Sequence, residues 1–128
     1  MINQISEGVA ISVEAYYEAG FSNMVNNEFM FAYRITIENK NIFPIKLLSR
    51  HWYIFDSIGD RREVQGDGVV GEQPVIYPGN SYQYISGCNL RSEMGTMHGS
   101  YLFENLHNKL TFTTIIPQFE MLVPFKLN

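Results

Sequence analysis

The chain has 128 residues, 45% hydrophobic and 17% charged, which suits one globular domain over residues 1–128 and leaves no room for a second substantial core. Nine basic against thirteen acidic side chains give a net charge of −4, the wrong sign for a protein that tracks nucleic-acid phosphates. No apolar run approaches the ~18 residues of a membrane span, no leader segment is expected at Met1–Glu7, and the solitary Cys88 excludes an intrachain disulfide and fits the reducing cytoplasm.

Period-two alternation begins at Val9–Tyr17, with Val9, Ile11, Val13, Ala15 and Tyr17 on one face. A turn-rich stretch, Gly20–Asn27, leads to the clearest strand, Phe29–Glu38, where Phe29, Phe31, Tyr33, Ile35 and Ile37 point one way. Arg34, Thr36 and Glu38 lie on its other face, the signature of a half-buried antiparallel strand. Ile45–Phe55 breaks the pattern. Both of its faces mix apolar and charged groups, so it requires a bulge or burial on both sides. Asp56–Asp60 reads as a hairpin turn and Arg61–Gln65 as the return strand.

A glycine-spaced loop follows, Gly66–Pro74, then Val75–Tyr77 and a Pro78-Gly79-Asn80 turn that wants glycine at positive φ. Further strands are expected at Tyr82–Ser86, Gly95–Phe103 and Leu110–Ile116, the last stopped by Pro117. Phe119–Pro124 is a candidate edge strand. No segment carries a sustained helical period with caps, so no helix beyond two turns is expected. Seven or eight short strands (about one per turn signal) indicate an all-β fold: a single antiparallel β-sandwich, with a closed barrel as the alternative.

The most prominent motif is Gly66-x-Gly68-x-x-Gly71, which matches a dinucleotide fingerprint on paper. That fingerprint needs a helix opening after the glycines, and here Pro74 and the β-branched Val75-Ile76 follow instead. Asp67 and Glu72 add negative charge where a phosphate would sit. Turn geometry is therefore the expected role of these glycines, and a bare amide nest for an anion is the alternative. Cys88 and His98 lie ten residues apart without a visible third group, and no Gly-x-Ser-x-Gly elbow occurs. His51, His98 and His107 lack zinc-ligand spacing, and Asp56, Asp60, Glu63 and Asp67 would have to converge to hold a hard cation. No catalytic residue, metal site or cofactor is expected.

Several stretches together resemble the bacterial ApaG family: Phe31–Ile37, Leu47–Trp52, Glu63–Pro74, Pro78-Gly79, Tyr82–Tyr84, Ser86-Gly87 and Gly95–Tyr101. Departures are Ser92-Glu93-Met94, where the family often has a Thr-Pro pair, and Ser49, where glycine is common. The resemblance implies a sandwich similar to fibronectin type III and immunoglobulin domains. It also implies an indirect association with cobalt and magnesium efflux, and kinship with domains appended to eukaryotic partner-binding proteins. It supplies no catalytic residues.

The expected function is thus a non-enzymatic cytoplasmic domain that binds another protein, possible partners including a second copy of itself. An anion or nucleotide sensor built on Gly66, Gly68 and Gly71, and a weak divalent-metal binder, are the alternatives. If Trp52 and Ile54 face the core, the pleat sends His51, Tyr53 and Phe55 outward as the partner face. No nucleic-acid partner and no membrane insertion are expected.

Overall fold

A computed structural model of the chain describes residues 1–124. Nine strands follow in order: β1 (Ile2–Ser6), β2 (Val9–Tyr17), β3 (Phe29–Asn39), β4 (Ile45–Asp56), β5 (Arg61–Asp67), β6 (Val75–Ile76), β7 (Ser81–Leu90), β8 (Met94–Asn105) and β9 (Thr111–Leu122). The helical content among the described residues is one 3₁₀ turn, Ala19–Phe21. All pairings are antiparallel. One sheet has the order β1-β2-β3-β7 and the other β5-β4-β8-β9, with the short β6 also on β4. The two sheets pack face to face as the expected β-sandwich.

The alternation in β2 and β3 does what it promised. Val9, Ile11, Val13, Phe29, Phe31, Tyr33, Ile35 and Ile37 are all buried. From the opposite sheet come Trp52, Ile54, Met97, Tyr101, Phe103, Ile116 and Phe119. At the centre Tyr33 meets Trp52 edge-on at 5.4 Å and Phe119 at 5.7 Å, a geometry that suits ring quadrupoles.

Two strands differ from the sequence expectation. β1 pairs with β2 through a two-residue Glu7-Gly8 turn in which both φ values are positive (51° and 73°), the geometry of a type I′ hairpin. Its polar residues Asn3, Gln4 and Ser6 hide the strand, because an edge strand needs little apolar alternation. Pro117 does not end the last strand. β9 runs through it to Leu122, joining the Leu110–Ile116 segment and most of the proposed edge strand into one. Between Met97 and Gly99 the register slips, so His98 faces Pro117 and Gln118 together. A bulge on an edge strand is one place where a residue without an N–H costs no ladder bond.

Buried between the sheets, the Tyr84 and Tyr101 hydroxyls hydrogen-bond to each other. Burial holds the phenols of Tyr33, Tyr84 and Tyr101 above the ordinary tyrosine pKa. The fold keeps them protonated while the unfolded chain releases its protons near pH 10. Their contribution to stability is therefore complete below about pH 10 and falls as pH rises, each adding a slope of at most about 1.4 kcal/mol per pH unit. Urea midpoints should hold from about pH 9 to 10 and fall from about pH 10 to 11, and the Tyr84→Phe/Tyr101→Phe double variant should fall less steeply.

Candidate functional site

The candidate site follows from one irregularity in β4. Leu47 pairs with Phe103 and Ser49 with Leu102, so Leu48 is an extra residue, a β-bulge. Before it, Ile45 and Leu47 point inward; after it, the inward parity passes to Trp52 and Ile54. The mixed faces of Ile45–Phe55 are resolved by that slip. Ser49, His51, Tyr53 and Phe55 consequently lie on the outer face of the β5-β4-β8-β9 sheet.

On this face Tyr53 is 42% exposed and sits in a ring stack. His51 lies 4.5 Å from it at an interplanar angle of 21°, and His98, its cross-strand partner on β8, at 5.1 Å and 15°. His51 Nε2 is 2.5 Å from Glu63 Oε2, and the Gln65 amide is 3.2 Å from the same imidazole. Phe55 carries the Arg61 guanidinium over its ring at 4.8 Å, a cation–π contact. Between them lies a hollow of about 290 Å³ lined by Tyr53, Phe55, Arg61, Glu63, Thr96 and His98. It offers ring faces with both signs of charge at the rim.

Nucleophilic chemistry finds no constellation here. Cys88 points into the core from β7, and burial raises its thiol pKa, with the Arg62 guanidinium pulling the other way. His98 stands on the outer face of the other sheet, so the two are not a pair. Among the described residues, no group of three or more His, Cys, Asp or Glu side chains converges as a metal would require.

The glycine loop is anchored on the β4 bulge. The Leu48 carbonyl accepts from the Gly68 N–H and from the Gln73 side-chain amide, both at 2.8 Å. Arg50 Nη1 donates to the carbonyls of Asp67 and Gly68 at 3.0 Å each. Val69 and Glu72 exchange both backbone hydrogen bonds around Val70 and Gly71, whose φ values are 45° and 80°. This is a tight I′-like turn, with buried Val69 pinning it to the core. The N–H groups of Gly68, Val69 and Glu72 are thus bonded within the protein rather than turned toward an anion.

The glycines have distinct reasons. A Cβ on Gly66 would lie 2.8 Å from the Arg50 guanidinium, and one on Gly68 only 2.0 Å from the Glu72 carbonyl oxygen, at φ +61°. Gly71 needs only its positive φ, since open space surrounds it. Leu48, Arg50 and Gln73, which hold the loop, escaped the sequence reading, although the broken face pattern around Leu48 was their visible trace. His98 in the ring stack escaped too, because its partnership with Tyr53 exists only through the β4–β8 register.

Gly68→Ala should lower unfolding free energy by more than 2 kcal/mol (roughly), combining a left-handed backbone with a backbone clash, whereas Gly71→Ala should cost about 1 kcal/mol. Urea unfolding of the two variants checks that order. ATP, GTP and pyrophosphate should bind no tighter than about millimolar; amide shift titration at Gly66, Gly68 and Gly71 gives the answer, saturation in the micromolar range being the contrary one.

Comparison with known proteins places this arrangement. The family model of the ApaG domain matches residues 19–105, a span that includes β3 through β8 and the whole glycine loop. The chain is 46% identical to Protein ApaG of Azoarcus sp. strain BH72 over 122 residues, covering 93% of this chain and 94% of that protein. It is 45% identical to Protein ApaG of Pseudomonas fluorescens strain SBW25 over 120 residues, covering 94% of each. Among solved structures it is similar to the putative ApaA protein from Bordetella pertussis, with a TM-score of 0.88, 36% identity and coverage of 92% of this chain and 95% of that one. The chain belongs to the ApaG family.

Proposed function

We propose that this protein is a non-enzymatic binding module and that its partner, another protein, docks on the outer face of the β5-β4-β8-β9 sheet. The observation that carries the reading is the exposed His51–Tyr53–His98 stack beside Phe55 and Arg61. Large rings held rigidly on a sheet bury area at low entropy cost, and Tyr and Arg are enriched where interfaces concentrate their binding energy. Rim charges of both signs, Arg61 and Glu63, suit the polar border that excludes water around such a centre. A reducing cytoplasmic setting accords with the free Cys88. Any tie to cobalt and magnesium handling is then indirect, through the partner.

The test compares wild type with Tyr53→Ser and Phe55→Ser, each first shown to be folded by its urea midpoint. Proteins co-purified from the native host with wild type should be lost from both variants, and retained by Ile115→Ser, a control on the same sheet face. A loss of about 2 kcal/mol, or thirtyfold in affinity, is expected for Tyr53→Ser once the partner is isolated. If both variants unfold, the rings are structural and the face is not a partner site.

A further inference from the structure

Each sheet of an open sandwich ends in two edges, and a bare edge is a template for another strand. Three of the four carry a recognised guard. β1 is five residues long. β9 has the bulge at Pro117. β5 has Arg61, Arg62, Glu63 and Asp67 along its seven residues. β7 differs: Ser81–Leu90 has no charged residue and no proline, and its register on β3 is unbroken from Glu38–Ser81 to Phe29–Leu90.

The parity of that edge can be read from two contacts. Asn39 N–H donates to Asn80 O at 3.0 Å, which makes this a bonded pair and leaves Tyr82, Tyr84, Ser86 and Cys88 bonded to β3. The backbone groups of Ser81, Gln83, Ile85 and Gly87 then point to the free side, as does Asn89. Arg62 reaches across from β5 and donates to the Asn89 carbonyl, capping that end. Ile85, in the middle of the stretch that no other described residue caps, is 54% exposed.

We infer that this uncapped edge is where a second copy of the chain docks, the two β7 strands pairing antiparallel about a twofold axis at Tyr84. That register sets Ser81 opposite Gly87 of the second copy and Gln83 opposite Ile85, and each copy's free N–H and C=O groups meet those of the other. Asn89, already capped by Arg62, stays outside the pairing. An isologous contact must be self-complementary, and this one brings no like charges together on β7, which self-pairing of β5 would not guarantee. One sheet then runs through both copies. The contact is smaller than a standard interface, so its dissociation constant is expected at roughly micromolar. It is separate from the Tyr53 face and does not depend on the function proposed for it.

Sedimentation equilibrium at about 100 μM tests this, well above a micromolar constant. Wild type and Tyr53→Ser should sediment at twice the 14.8 kDa chain mass, and Ile85→Lys at the chain mass with an unchanged urea midpoint. Wild type at the chain mass, or a folded Ile85→Lys still dimeric, overturns the inference. Should Ile85→Lys fail to fold, amide exchange on wild type decides. Protection at Gln83, Ile85 and Gly87 should rise with chain concentration, and concentration-independent exchange there refutes the pairing.

Discussion

The bulge at Leu48 is the constraint on which the rest of the molecule depends. Without the extra residue, β4 would have to choose between burying Ile45 and Leu47 and burying Trp52 and Ile54, since strand side chains alternate strictly. Leaving either pair in water forfeits about 1.5–3 kcal/mol per side chain. An interrupted ladder position costs about 1 kcal/mol if its groups go unpaired. Here even that is offset, because the Leu48 carbonyl receives two donors from the glycine loop. Burial wins, and the irregularity becomes an anchor.

The glycine motif takes its meaning from that anchor. Gly66 makes room for the Arg50 guanidinium, and the guanidinium in turn holds the Asp67 and Gly68 carbonyls. Gly68 lets the chain turn back against Glu72 without a side chain in the way. In a dinucleotide site the same letters free backbone amides for a pyrophosphate at a helix start. In this chain a β-turn stands in place of the helix, and the loop's amides bond to Leu48 and to each other. Identical spacing thus serves opposite ends of the hydrogen-bond ledger, and only the element after the motif distinguishes them.

What was legible in the sequence was whatever one strand decides alone. Phe29–Ile37 announces its buried face because every second residue is large and apolar, and Pro78-Gly79 announces its turn because Gly79 must take a positive φ, observed at 79°. The outward placement of Tyr53 was legible once Trp52 was assigned inward. The properties that escaped belong to pairs of strands. β1 is recognisable only beside β2, Pro117 is tolerable only because β9 is an edge with a bulge, and His98 joins Tyr53 only through the register of β8 on β4. Local periodicity carries none of that, since register is set by turns and bulges whose partners lie far along the chain.

On the proposed partner face, the ring stack is non-local order of the kind that prepares a surface for binding. A lone exposed tyrosine must surrender its rotamer freedom when a partner arrives, a cost on the order of 0.5–1.5 kcal/mol for an ordered side chain. Tyr53 is instead stacked against two imidazoles, and one of them, His51, is itself held by Glu63 and Gln65. Phe55 is similarly covered by Arg61. Much of the ordering has therefore been done by folding, through contacts that leave part of each polar rim facing water. Preorganisation of this kind raises affinity without enlarging the interface. It also ties the face to the bulge, because without the slip at Leu48 the rings of Tyr53 and Phe55 would turn inward and Trp52 would stand in their place.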